Sequence, residues 1–111
     1  MGVYQPLKFR LGTNIRFKHI AYQSDGKTRM SLAGAQILLQ ASNATGDVFS
    51  SPIASSITNS DQGESFFDIP PSSYTAANRG DYDYEIRVYQ GGVYQTLNEG
   101  PLTFTLGPFG R

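Results

Sequence analysis

Hydrophobic and polar residues alternate with a period of two along most of this chain. Leu7, Phe9 and Leu11 are interleaved with Lys8 and Arg10, and Ile15 and Phe17 with Arg16 and Lys18, the pattern of strands that bury one face. Gly12 to Asn14 separates the two. Ile20 to Gln23 runs into Ser24-Asp25-Gly26-Lys27, where Asp-Gly supplies the positive φ of a tight hairpin turn and makes Asp25 a turn residue rather than a ligand. Leu32 to Ala35 leads into Ile37, Leu39 and Ala41 on one face with Gln36, Leu38 and Gln40 on the other, read as a strand with a short amphipathic helix as the competing reading.

Asn43 to Ser60 is rich in Ser, Ala and Thr and carries Pro52, which predicts an edge strand or an irregular crossing. Glu64 to Ile69 reads as a strand stopped by Pro70-Pro71, since neither proline can donate to a ladder, and Ser72 to Arg79 has room for one helical turn. The clearest alternation follows: Tyr82, Tyr84, Ile86 and Val88 face one way, and Asp81, Asp83, Glu85 and Arg87 the other. Gly91-Gly92 suits a two-residue hairpin turn returning Val93 to Leu97 antiparallel. A break is expected at Asn98 to Pro101, and then a last strand, Leu102 to Leu106, ending at Gly107-Pro108.

Seven or eight short strands without a long helix predict an all-β fold, an antiparallel two-sheet β-sandwich, immunoglobulin-like or jelly-roll-like. Asn78 to Tyr84 has the shape of the immunoglobulin tyrosine corner, with Tyr82 at the corner and Tyr84 where antibody domains place a cysteine. With 111 residues the chain reads as a single domain, 1–111, flanked by short arms at 1–6 and 107–111 whose Val3, Tyr4 and Phe109 lie outside the expected sheets.

Composition narrows the function classes. Nine Lys and Arg balance nine Asp and Glu, so the electrostatic footprint of a nucleic-acid binder is missing and nucleic acid is not an expected partner. The longest apolar run is only Ala35 to Leu39, interrupted by Gln36, so no membrane span or polybasic anchor is expected. The first residues show no cationic segment followed by an apolar stretch, so export by a leader is not expected. Without Cys and with one His, thiolate chemistry, disulfides and a His-based triad lack their parts; His19 reads as a surface or hydrogen-bonded imidazole, and neither enzyme activity nor a cofactor is expected.

Asp81, Asp83 and Glu85 line one strand face at a same-face spacing of roughly 7 Å and could bind calcium or act as a glycosidase pair, but a solvated outer face explains them more simply. Arg79-Gly80-Asp81 spells an integrin tripeptide and Asn43-Ala44-Thr45 a glycosylation acceptor; each is too short to count without its context. Residues 1–30 hold six basic side chains and one acidic, net +5, whereas 45–85 hold seven acidic and one basic, net −6. Either the basic strands lie beside the acidic ones, or unlike patches meet across subunits. Val3, Tyr4, Arg10, Arg16, Lys18, Tyr89, Tyr94 and Phe109 are the candidate partner-contact residues. Tyr4, Tyr89 and Tyr94 could alternatively offer ring faces to a sugar, which keeps a surface glycan among the candidate partners and a carbohydrate-binding module as an alternative function.

Gly80 to Val88 and Tyr94 to Thr105 resemble the ending of small immunoglobulin-like domains in tailed-phage virion proteins, including the N-terminal domain of baseplate upper proteins, and Leu32 to Ile37 is similar to the start of that family's second strand. As a single-domain chain it looks most like the capsid decoration, or staple, proteins of epsilon15-like short-tailed phages. The resemblance implies a structural virion protein, assembled in the host cytoplasm, that sits on the outer capsid surface as a homodimer and clamps neighbouring units of the major capsid protein. A phage tail or baseplate component is the alternative it leaves open. No individual functional residue carries over from it.

Overall fold

The computed structural model describes residues 3–11, 14–23, 25–44, 52–69 and 79–106. They form nine strands: β1 (Val3–Tyr4), β2 (Leu7–Leu11), β3 (Ile15–Ile20), β4 (Gln36–Ser42), β5 (Ile53–Ala54), β6 (Ser56–Asn59), β7 (Glu64–Ile69), β8 (Gly80–Gln90) and β9 (Val93–Leu106), with one 3-10 turn at Ser60–Gln62. The fold is an all-β sandwich of two sheets. The larger has the order β1-β9-β8-β4-β5 with β2 also on β9, and the smaller has the order β3-β7-β6. Gln36 to Ser42 is a strand rather than the competing helix: Ile37, Leu39 and Ala41 face the core and pair in register with Val88, Ile86 and Tyr84.

The core forms where the inward faces meet. Tyr82, Tyr84, Ile86 and Val88 of β8, Leu102 and Phe104 of β9 and Leu11 of β2 are buried against Ile15, Phe67 and Ile69 of the small sheet. A run of rings stitches the layers together. Phe9 stacks on Phe17 at 5.1 Å, Phe17 on Phe67 at 5.2 Å, and Tyr82 meets Phe104 edge-on at 5.6 Å, geometries that add to simple area burial.

Three details differ from the sequence expectation. First, β1 and β2 run parallel to β9, whereas every other pairing is antiparallel. The first and last strands share no hairpin, so no short connection dictates their direction. Second, residues 3–4, expected in an arm, form a strand with Val3 opposite Asn98 and Tyr4 opposite Glu99. Third, β9 does not break at Asn98 to Pro101 but continues for 14 residues. Gly100 and Pro101 fit there because of the first strand. A Cβ on Gly100 would lie 2.8 Å from the Gln5 carbonyl oxygen. Gln5 donates its N–H to the Glu99 carbonyl, so the alternation of β9 turns the missing N–H of Pro101 to that same side, at the gap between β1 and β2 where no ladder bond is required. The Ser72 to Arg79 turn and the 107–111 arm lie mainly or wholly outside the described residues.

Candidate functional site

The sequence-nominated contact residues separate into groups. Tyr89 and Tyr94 are direct cross-strand partners on either side of the Gly91-Gly92 turn, with ring centroids 5.6 Å apart. The Arg87 guanidinium lies 4.3 Å above the Tyr94 ring, and its Nε is 2.9 Å from Glu85 Oε1. Alternation with the buried Val88 turns Tyr89 outward, and the register puts Tyr4 beside Glu99, which opposes Glu85 on that face. Three tyrosines therefore share the outer face of the large sheet. Tyr4 is 70 % and Tyr94 57 % exposed, and Val93 at the hairpin tip, absent from the sequence-based set, reaches 71 %. The hairpin is held at its base: the Gln90 side-chain amide donates to the carbonyls of Ser31 and Ala33 at 3.1 and 2.9 Å.

Arg16 and Lys18 lie on the opposite side of the molecule, on the outer face of the small sheet. Arg16 covers the Phe66 ring at 4.5 Å and pairs across the strands with Asp68. Lys18 bridges Glu64 at 3.2 Å, and Arg29 reaches the same carboxylate at 3.3 Å. The hydrogen bond from Lys18 holds the Glu64 carboxyl below its usual range, with Arg29 adding to the effect. Of the two charge arrangements, this part of the molecule adopts neutralisation within the domain. Arg10 is exposed beside Thr105 at the far end of the large sheet, and Phe109 lies outside the described residues.

Residues weighed as alternatives fall into structural roles. Asp25 accepts from the backbone N–H groups of Lys27 and Thr28, each at 2.8 Å, and from the Thr28 hydroxyl; these bonds, led by the hydroxyl, lower its pKa. Asp81 accepts from Thr103 at 3.0 Å and Glu85 from the Thr96 hydroxyl. Among the described residues no group of three His, Cys, Asp or Glu could hold a metal. Arg79-Gly80-Asp81 leads straight into β8, with Gly80 opposite Phe104.

A second feature was not anticipated. Where β9 passes the end of β3, a half-open cleft of about 340 Å³ is walled by Val3 and Gln5, by Lys18 to Ile20, by Tyr22 and Gln23, and by Gln95 to Asn98. It exists because β9 bulges. Ile86 faces Asn98 and Arg87 faces Thr96, leaving Leu97 as an extra residue; Leu97 is buried and Asn98 is turned to the interior side beside it. The Asn98 Oδ1 is 2.6 Å from His19 Nε2, and Asn98 Nδ2 donates to Gln5 Oε1 at 3.2 Å. This orientation makes Nε2 the protonated nitrogen and leaves Nδ1 a bare acceptor. His19 is 7 % exposed, and its Nδ1 has no protein partner among the described residues. Burial lowers its pKa, with the Asn98 bond opposing. Of the nominated residues, Val3 and Lys18 line this cleft. The sequence signal for it was faint: a lone His flanked by a basic and an apolar residue, and four amides scattered over 94 positions.

No protein-family model matches the chain, and no curated protein is significantly similar to it.

Proposed function

We propose that this protein is a structural virion component, a decoration subunit on the outer capsid shell that clamps neighbouring capsomers. The observation that carries the reading is the outer face of the large sheet, where Tyr4, Tyr89 and Tyr94 stand exposed around Arg87, with Val93 at the tip. Tyr and Arg are among the residues most enriched at the energetic centres of protein contacts, Tyr because it brings large area with few rotors and Arg because its planar guanidinium both stacks and donates several hydrogen bonds. Gln90 anchors the hairpin to the 31–33 loop, so the patch is presented by a stiff element. A clamp needs such a rigid face repeated by shell symmetry, and the sequence resemblance to phage decoration proteins points the same way.

Sugar stacking at these tyrosines is the weaker reading, since Arg87 already covers one face of Tyr94 and the tilted Tyr89 ring packs beside it at 5.6 Å. The deciding measurement is the copy number of this polypeptide in purified particles of its source, counted by mass spectrometry against the major shell subunit. Near-stoichiometric abundance supports decoration. A small symmetric number moves the protein to the tail or baseplate, and absence from particles overturns a virion role.

A further inference from the structure

We infer that the cleft beside His19 is a binding site for a neutral saccharide, a mono- or disaccharide unit recognised through its hydroxyls. This goes beyond the decoration role and does not depend on it.

The wall sets the ligand's charge. Among the described residues no acidic side chain lines the cleft, and its cation, Lys18, is engaged by Glu64 at 3.2 Å. An anionic ligand would find no uncommitted counter-charge, and a cation would find no carboxylate. The polar groups that do converge are amides: Gln5, Gln23, Gln95 and Asn98. A carboxamide offers a donor and an acceptor side by side, the complement of a sugar hydroxyl that does both. Tyr22 adds an aromatic wall; the Arg29 guanidinium lies over its ring at 5.7 Å, farther than Arg87 over Tyr94, and the apolar C–H face of a pyranose can pack on the ring face that Arg29 does not cover. At about 340 Å³ the cleft is at the lower end of small-molecule sites, room for a short saccharide rather than a large ligand.

The polar network is set before any ligand arrives. Asn98 is locked between His19 and Gln5, two segments far apart in sequence, so its amide cannot rotate freely. With its oxygen committed to His19 and one N–H to Gln5, the Gln5 amide nitrogen is turned to the other side of its plane, available to a ligand. His19 Nδ1 is sealed from solvent and out of a ligand's reach, so the groups offered to a ligand are the amides and the Tyr22 ring. Tyr4, Tyr89 and Tyr94 are the residues the sequence offered for sugar binding; the inferred cleft lies apart from them, on β3, the following turn and the bulge of β9.

The test is an NMR titration of the isotopically labelled full chain with glucose, galactose, mannose, rhamnose, N-acetylglucosamine and maltose, each carried to high millimolar concentration. The readouts are the side-chain amide signals of Gln5, Gln23, Gln95 and Asn98 and the His19 ring nitrogens. At least one sugar is expected to give saturable shifts confined to these signals, and Gln95→Ala, at an exposed position that supports no core contact, is expected to weaken that binding at least tenfold. Tyr22→Ala serves as the second variant, its fold checked by its backbone spectrum. The inference is overturned if no sugar moves the cleft signals, if Gln95→Ala and Tyr22→Ala both bind as well as the parent, or if the shifts centre on Tyr89 and Tyr94. Particle association is measured separately, so either reading can fail without the other.

Discussion

The phenolic hydroxyl of Tyr84 donates a 2.6 Å hydrogen bond to the backbone carbonyl of Gln5, 79 residues away in sequence. Gln5 lies between β1 and β2, so this bond ties the first strand to the middle of the sheet just where the β9 ladder is interrupted. Tyr82 packs edge-on against Phe104, and Tyr84 adds this tie to the backbone of the first strand. Tyr84→Phe keeps the ring and removes the donor. Its expected cost is about 1–2 kcal/mol, because a partly buried carbonyl loses its partner, read as a lower urea midpoint with unchanged slope.

The same residue predicts an alkaline limit. Burial pushes the Tyr84 phenol up from 10.0 to about 12. A folded pKa above the unfolded one means that the contribution is complete below about pH 10 and is lost as pH rises toward 12. Chemical denaturation at intervals across that range should show stability falling in the parent and a shallower fall in Tyr84→Phe. Equal slopes would show that other groups govern the alkaline side.

His19 gives an acid limit of opposite sign. Burial holds its pKa below the ordinary 6.5, so the folded state favours the neutral ring, and stability is complete above pH 6.5 and declines as pH falls below it. Glu64, whose pKa is lowered from 4.5 by Lys18 and Arg29, adds its own loss only at lower pH. The ring signals of His19 should therefore titrate with a midpoint below 6.5, and the urea midpoint should begin to drop before carboxylates protonate. A His19 midpoint at or above 6.5 would contradict the burial of the ring, since the Asn98 bond alone acts in the upward direction.

These relationships mark the boundary between what local pattern carries and what it does not. The alternation of Tyr82, Tyr84, Ile86 and Val88 was legible because one face of β8 is buried, and a period of two is the direct imprint of that burial. The Tyr89–Tyr94 pair followed from Gly91-Gly92, since a two-residue turn fixes the register of both strands. Asn98 to Pro101 misled because Gly and Pro ordinarily end a strand, whereas here they answer to the Gln5 backbone crossing beside them, a neighbour supplied by the opposite end of the chain. The bulge at Leu97 and the His19–Asn98–Gln5 chain were hidden for the same reason. They arise from which strands become neighbours, and nothing within a short window encodes that.

Two glycines make this long-range dependence measurable. A Cβ on Gly63, at φ 67°, would approach the carbonyl oxygens of Ala21 and Met30 at 2.6 and 2.8 Å, both part of the backbone that carries the Asp25 hairpin. Gly100, at φ 149°, faces the Gln5 carbonyl at 2.8 Å. In both cases backbone must shift and the conformation is strained for an L residue. Gly63→Ala and Gly100→Ala are each expected to destabilise by more than about 2 kcal/mol. They should differ in kind: amide exchange in Gly100→Ala should rise first in β1 and at Gln5, and in Gly63→Ala around Ala21 and Met30. Uniform loss of protection in both would mean that these segments do not open independently of the core.

The hairpin patch calls for the converse experiment, a change that removes contact area without touching the fold. Tyr94 is 57 % and Val93 71 % exposed, and neither is part of the buried cluster, so Val93→Ser should fall within about 0.5 kcal/mol of the parent and Tyr94→Ser should cost little more. Tyr94→Ser removes the Tyr89 contact and the Arg87 stacking together, an exposed cation–π pair worth only about 0.5–1 kcal/mol. Association is different: a tyrosine at the centre of an interface contributes about 2 kcal/mol or more, a factor of thirty in affinity. Tyr94→Ser and Val93→Ser should therefore melt near the parent temperature yet be depleted from particles when mixed with an equal amount of parent protein during assembly. Equal incorporation would show that the large sheet's outer face is not the docking surface and would shift attention to the Arg16 and Lys18 face.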